Sequence, residues 1–360
     1  MKQSIDPWDV KEVKDYDKLM KDLGVDSFEN YSKKLKDAPL PIRRGLVLGH
    51  KDFSKVLAAI QKKEKFAILT GLMPSGNFHF GHMSTIQQVI YYQKLGAKIY
   101  LLAADLEAML TRNFSKEQAR KTAIEEYLLN YLALGLSAKN LHFYFQTEGS
   151  SEYNNLSKLA SAKTTFNEVK NIYGDISPAK LISALTQSAD ILYPQTQGYK
   201  LTLTPVGFDQ LPHANFTRDI AARMNFSLPA FTFHKLVPGL QGAATKMSSS
   251  KPESYIAFDD DEKTVAKKIY KYAFSGGQSS IEEHRKHGGN PEIDVSYQWL
   301  KYLFEEDDKK LQRIHDDYSS GSLLTAELKL ILIEKIVKFL KQHNEKKAKA
   351  RKDINKIIKD

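Results

Sequence analysis

Two histidines, His79 and His82, close the glycine-bearing run Thr70-Gly71-Leu72-Met73-Pro74-Ser75-Gly76-Asn77-Phe78. Their rings are one helical turn apart and can point to the same side. Gly71 and Gly76 lack a Cβ, so the backbone can come close to a ligand there. The free N–H groups of a following helix then face an anion, as phosphates require. A Walker site is rejected, because Asn77-Phe78 stand where Lys-Ser/Thr belongs. No G-x-G-x-x-G fingerprint is present. A zinc site would need further ligands, and the chain has no cysteine. An ordinary strand–helix turn remains the plain alternative for this stretch.

A second stretch shifts that balance. After the apolar run Ala230-Phe231-Thr232-Phe233 come Gly239-Leu240-Gln241-Gly242 and then Lys246-Met247-Ser248-Ser249-Ser250-Lys251-Pro252. Small residues and serines around a lysine make a mobile loop that can close on phosphates; singly, each residue also suits a polar surface loop. A third stretch, Thr204-Pro205-Val206-Gly207-Phe208-Asp209-Gln210, ends another apolar run. Gly207 permits close approach of a ribose, and Asp209 can accept from its hydroxyls or merely cap a helix. In this order, the first two stretches resemble the His-x-Gly-His and Lys-Met-Ser-Lys-Ser signatures of class I aminoacyl-tRNA synthetases. Ser249 stands in place of the second signature lysine.

The resemblance implies an aminoacyl adenylate made from ATP with Mg²⁺, then transfer to a tRNA ribose hydroxyl. Positioning and electrostatic stabilisation dominate such chemistry. By resemblance, His79, His82, Lys246, Ser248 and Ser249 are the catalytic set. Thr70, Gly71, Met73, Pro74, Ser75, Gly81, Gly207, Asp209, Val237 and Met247 complete the surroundings of ATP. Glu107, Gln187 and Gln210 hold the α-ammonium group, whose three donors suit a carboxylate and two amide oxygens. Where the eukaryotic tryptophanyl pattern places a tyrosine and a glutamine near the indole nitrogen, this chain has Leu69 and Leu102. Asp190 instead resembles the aspartate that accepts the indole N–H in bacterial relatives. Mg²⁺ would arrive with ATP, and no dedicated metal site is expected.

These residues must be positioned by strands and helices, and the pattern supplies them. Phe66–Leu69, Lys98–Ala104, Leu141–Phe145, Leu201–Val206 and Ala230–Phe233 read as buried strands. Met83–Leu95, Ser115–Leu134 and Pro178–Ile191 read as helices between them. Such alternation means right-handed βαβ units, a Rossmann-like parallel sheet with helices on both faces, and ligands at the strands' carboxyl ends. Before it, Asp15–Leu23 and Phe53–Ile60 read as helices, and Ile42–His50 as a brief strand. After Asp259 the chain reads as helical, through Glu292–Phe304, Lys309–Tyr318 and Thr325–Leu340. The expected domains are an N-terminal extension 1–65, a catalytic domain 66–258 with a helical connective insertion at about 105–190, and an all-α anticodon-binding domain 259–360.

At 360 residues, 42% hydrophobic and 27% charged, this is the composition of an ordinary globular protein. No apolar run approaches a membrane span, and the polar N-terminus lacks a signal-peptide core, so a cytoplasmic enzyme is expected. Fifty-three Lys plus Arg against 43 Asp plus Glu give +10, which favours a polyanionic partner, a solvated basic surface being the default alternative. Ile5-Asp6-Pro7-Trp8, Arg43-Arg44-Gly45, Ala162–Glu168 and Glu282–Gly289 extend the resemblance to archaeal and eukaryotic tryptophanyl-tRNA synthetases. That type implies tRNA(Trp), L-tryptophan and ATP as partners, and a homodimer joined through the connective insertion. The rivals are a tyrosyl-tRNA synthetase, without the Pro-Trp and Arg-Arg-Gly elements, and a small-molecule nucleotidylyltransferase, which would not need a basic helical C-terminal region.

Overall fold

The apolar runs become strands because alternate residues on each find an apolar cover on opposite faces. A computed structural model describes residues 16–174, 176–352 and 354–358. Strands β1 (Asp26–Ser27), β2 (Val47–Lys51), β3 (Ala67–Leu72), β4 (Lys98–Ala103), β5 (Leu141–Phe145), β6 (Thr202–Gly207) and β7 (Ala230–His234) form one sheet. Their order is β1-β2-β7-β6-β3-β4-β5. Ile68, Ile99 and Leu101 belong to the core on one face, and Leu69, Tyr100 and Leu102 to the core on the other. This is the two-residue period of a strand, and apolar on both faces because helices cover both.

From β7 to β5 every pairing is parallel. β3 pairs with β4 on one side and β6 on the other, so the order reverses there. An open sheet leaves its ligand crevice at such a reversal, beyond the carboxyl ends. The glycine-bearing run leaves β3 and Gly207 ends β6, so both flank it.

Outside the five parallel strands, the structure departs from the sequence reading. β2 is antiparallel to β7 and β1 antiparallel to β2, so residues before Phe66 extend the sheet itself. The strand expected over Ile42–His50 is divided: Leu40–Arg43 is a helical turn and the strand starts at Val47. Pro41 in that first turn fits, since a helix has no use for its missing N–H there. Gly24 (φ +62°) stops the helix Tyr16–Asp22, as the sequence suggests. Ile5-Asp6-Pro7-Trp8 lies outside the described residues.

The helix expected over 115–134 starts on a Ser115 cap that exchanges bonds with Gln118, but it contains a π-helical turn at Ala123–Leu128. Pro178 opens a helix that runs to Thr196, and Thr325 one that runs to Ala350, both beyond their expected ends. The last runs on because Leu340 and His343 are still buried, His343 bonding to Asn130 at 2.8 Å. One core cluster joins Phe28, Ile68 and Leu332, so residues from all three regions of the chain share it. Two further links bind the C-terminal helices: Arg43 and Arg44 both pair with Asp308 at 2.6 Å, and the buried Trp299 indole donates to the Pro238 carbonyl at 2.8 Å.

Candidate active site

Local bonds, before any ligand, shape the turn that follows β3. His79 has extended backbone and caps the helical turn Phe80–His82, its Nδ1 accepting from the Gly81 N–H at 3.1 Å. His82 Nδ1 accepts from the His79 N–H at 3.2 Å. The two rings stack with centroids 4.0 Å apart, flanked by Phe78 and Tyr255. Burial holds His79 well below the usual imidazole range and His82 at about 4. A neutral imidazole whose Nδ1 accepts carries its proton on Nε2. His79 therefore carries its N–H on Nε2, whereas His82 Nδ1 lies 3.1 Å from the His79 carbonyl as well as 3.2 Å from its N–H, so either His82 nitrogen can hold the proton.

The lysine signature lies directly on this turn. It begins on a strand, since β8 (Pro238–Gly239) and β9 (Gly242–Lys246) form a hairpin. A Cβ on Gly76 would come 2.7 Å from that of Ser249, and one on Gly81 3.2 Å from that of Met247. Ser249 Oγ donates to the Asn77 carbonyl at 3.5 Å, and Ser248 Oγ lies 2.9 Å from Ser250 Oγ. Phe258 N–H donates to the Phe78 carbonyl at 3.1 Å. Lys246 itself is exposed at the strand end. Pro74 and Val237 are buried, and Ser75 bonds to the Tyr127 hydroxyl.

At the end of β6, Asp209 folds back over Gly207, where a Cβ would meet Asp209 Oδ1 at 2.3 Å. Burial raises the Asp209 carboxyl, against the Gln210 bond and the Lys246 charge that lower it. Gln210 donates to Asp209 Oδ2 at 3.2 Å and accepts from Gln187 at 3.4 Å.

A cavity of about 230 Å³ opens beside these groups. Of the residues singled out from sequence, Leu69, Thr70, Gly71, Met73, Leu102, Glu107, Gln187, Asp190, Gly207 and Gln210 line it. His79, His82, Asp209, Lys246, Met247, Ser248 and Ser249 stand outside that lining, around the adjoining turns. Burial raises Glu107, opposed by a Ser183 bond and the Arg112 charge. Asp190 is 2% exposed, and burial with the nearby Glu107 and Asp105 charges lifts it to about 7, against hydrogen bonds from Tyr153 and Gln146.

Gln146, Tyr153, Ser183 and His213 escaped the sequence reading. His213 lines the cavity, bonds to the Tyr173 hydroxyl and is held at about 3 by burial. Gln146 follows the last residue of β5, so the rule that ligands meet strand ends could have found it. Tyr153 and Ser183 carried no such signal; only the fold brings them near.

Residues 61–341 match the family described as tRNA synthetases class I (W and Y). The chain is 41% identical to a tryptophan–tRNA ligase of Aeropyrum pernix, covering 99% of this chain and 98% of that one. It is 40% identical to one from Hyperthermus butylicus, over 96% of this chain and 95% of the other. The crystal structure of tryptophanyl-tRNA synthetase from Aeropyrum pernix superposes with a TM-score of 0.91 at 40% identity, covering 98% of each chain.

Proposed function

Since the chain belongs to the class I tRNA synthetases (W and Y) and its activity is ligation of tryptophan to tRNA, we propose that the crevice between β3 and β6 carries both chemical steps. First the tryptophan carboxylate attacks the α-phosphorus of ATP and pyrophosphate leaves, giving tryptophanyl adenylate. Then a tRNA ribose hydroxyl attacks the activated carbonyl and AMP leaves. The tyrosyl and nucleotidylyltransferase alternatives are not favoured.

In this reading the His79 and His82 rings donate to the phosphates. Lys246 meets the charge that develops on the departing pyrophosphate, with the Ser248 and Ser249 hydroxyls beside it. Asp209 takes the ribose hydroxyls over Gly207. Thr70, Gly71, Met73, Pro74, Ser75, Gly81, Val237 and Met247 enclose the nucleotide. Glu107, Gln187 and Gln210 hold the α-ammonium group, and Asp190 accepts the indole N–H. Mg²⁺ arriving with ATP would offset phosphate charge. Among the described residues no group of three or more His, Cys, Asp or Glu offers it a separate cage.

The observation that carries this reading is the seating of Met247 and Ser249 on Gly81 and Gly76, beside a cavity lined by Glu107, Gln187 and Gln210. Pyrophosphate exchange into ATP, run with each amino acid separately, tests it. Tryptophan should drive the exchange; faster exchange with tyrosine at equal concentration would overturn it.

The division into an extension 1–65, a catalytic domain 66–258 and an anticodon-binding domain 259–360 belongs to the same proposal. So does a homodimer joined through the insertion, where Leu159, Phe166 and Ile182 are 57%, 58% and 49% exposed. Large apolar side chains gathered on one segment suit a subunit interface. A monomer mass in light scattering across micromolar concentrations would contradict it. We assign the enzyme to the cytoplasm, as a translation enzyme. Among the described residues no helix is long and apolar enough to cross a membrane.

A further inference from the structure

Asp190 lines the cavity, and both of its carboxylate oxygens already accept from the protein. The Tyr153 hydroxyl donates to Oδ1, and Gln146 Nε2 donates to Oδ2 at 2.8 Å. Tyr153 and Gln146 are 3% and 4% exposed, and neither lines the cavity. The Tyr153 ring is fixed edge-on by Tyr144 and Tyr193, with centroids at 5.8 and 5.3 Å. Gln146 is fixed at its other end, where Oε1 accepts the Glu107 N–H at 3.4 Å.

Resting on the reading that Asp190 takes the indole N–H, we propose that Tyr153 and Gln146 are positioning residues that turn Asp190 into an acceptor-only wall and so select tryptophan over tyrosine. A carboxylate oxygen has more than one acceptor site, so each can hold its protein donor and still receive a substrate N–H. Indole offers one donor and no acceptor. A phenol offers a donor but also lone pairs that want a donor in return. The two donors bonded to Asp190 are committed to it, and Leu69 and Leu102 on the same cavity have none to give. A tyrosine phenol bonded to Asp190 would get no returning donor from these four side chains, and a buried oxygen without one is costly.

The electrostatics pull the same way. Burial and the Glu107 and Asp105 charges push Asp190 toward its protonated form, while the Tyr153 and Gln146 bonds pull it back. Without those bonds the aspartate would gain a proton and become a donor, which indole cannot use and a phenol oxygen can. The two residues thus hold both the direction and the charge of the acceptor. Gln146 also ties that acceptor to the backbone of Glu107, fixing the span between the two ends of the amino acid.

The test is pyrophosphate exchange by the full chain with tryptophan, tyrosine and a benzothienyl analogue of tryptophan, in which sulfur replaces the indole N–H. Wild type, Tyr153→Phe, Gln146→Met and Asp190→Leu are compared by the ratio of kcat/KM for tryptophan to that for the analogue. A site built around a substrate N–H rejects an analogue without it by up to about 10⁴. Tyr153→Phe keeps the ring contacts, and Gln146→Met keeps the length. Each should lower the ratio roughly tenfold, through the KM for tryptophan, with the analogue unchanged. Tyr153→Phe should also improve the use of tyrosine. If both variants reduce tryptophan and analogue alike, the ratio stays fixed, the residues only support the fold, and the proposal falls. If Asp190→Leu keeps the ratio, Asp190 is not the acceptor and the underlying reading fails. If Asp190→Leu abolishes the ratio while the other two preserve it, that reading stands and the positioning role alone is overturned.

Discussion

At the proposed nucleotide end of the crevice the chain offers backbone to a ligand, through Gly71, Gly76, Gly81 and Gly207. At the proposed amino-acid end it offers side chains from separate elements, with Glu107, Gln146, Tyr153 and Asp190 linked by hydrogen bonds and Gln187 beside them on the cavity. The charges also run oppositely. Burial keeps the histidines of the first end neutral by lowering their pKa, and raises the pKa of Glu107 and Asp190 at the second. Both follow from the same penalty on buried charge. The nucleotide end is thus set by what the backbone can approach, and the amino-acid end by which hydrogen-bond partners remain free.

The sharpest break between the ends should come from Lys246→Ala. In the proposed mechanism its charge acts as pyrophosphate leaves, so the loss should fall on the transition state. Single-turnover adenylate formation should slow by about 10²–10³, with tryptophan affinity nearly unchanged. An unchanged rate would remove Lys246 from the chemistry.

Next in size is the response to pH. His82 is held at about 4, below its ordinary 6.5, so between those values the unfolded chain binds more protons than the folded one. Stability contributed by that group is complete above about 6.5 and is lost as pH falls through this window. Asp190, raised from 3.8 to about 7, acts in the opposite sense: its contribution is complete below 3.8 and is lost as pH rises toward about 7. Each group alone changes stability by about 1.4 kcal/mol per pH unit inside its window. Urea midpoints from pH 4 to 8 should show His82→Gln flattening the acid-side loss and Asp190→Asn flattening the loss toward neutral pH. The same slope in all three proteins would contradict the contrast.

The contrast also explains what the sequence made legible. The nucleotide end was readable because its residues sit within short runs after β3, β6 and β7, where types and spacing carry the signal. The parallel strands were readable because their alternate residues face two apolar cores. Tyr153 was not readable, because its only distinguishing property is a bond to Asp190 from a different helix. Nor was the antiparallel pairing of β2 with β7, since pairing partners distant in sequence leave no local mark. The π-helical turn at Ala123–Leu128 breaks a helix whose composition gives no warning.

A smaller effect should follow from Gly207→Ala. The added Cβ would lie 2.3 Å from Asp209 Oδ1, so the carboxylate must swing away from its place over the turn. The KM for ATP should rise about tenfold, the loss of one good hydrogen bond to a charged group, while the KM for tryptophan stays close to wild type. Equal increases in both would mean that the chain Asp209–Gln210–Gln187 transmits the change, and that the two ends are less independent than their construction suggests.

The smallest effect is expected where the C-terminal helix meets the nucleotide end. The helical stretch 116–134 reaches the glycine turn, with Glu126 accepting the Phe78 N–H at 3.4 Å and Tyr127 bonded to Ser75. That same stretch is held from outside by His343, bonded to Asn130 at 2.8 Å, and by Arg351, which forks onto the Glu125 carboxylate. Lys346, Lys347, Arg351 and Lys352 make this stretch cationic, and Arg351 is engaged by the Glu125 carboxylate. Its side chain is 55% exposed and that of Glu125 35% exposed, so solvent screens the pair. Arg351→Ala should therefore cost no more than about 1 kcal/mol and leave the KM for ATP unchanged. Neutralising Lys346, Lys347 and Lys352 together should also spare tRNA-independent exchange. Neutralising those three lysines should, however, weaken tRNA binding and flatten its dependence on salt, because fewer counterions are released. Measuring tRNA affinity at two salt concentrations for both variants separates the roles. If Arg351→Ala moves the KM for ATP while the triple variant keeps the wild-type salt slope, the tail is a brace for the nucleotide end and not a surface for RNA.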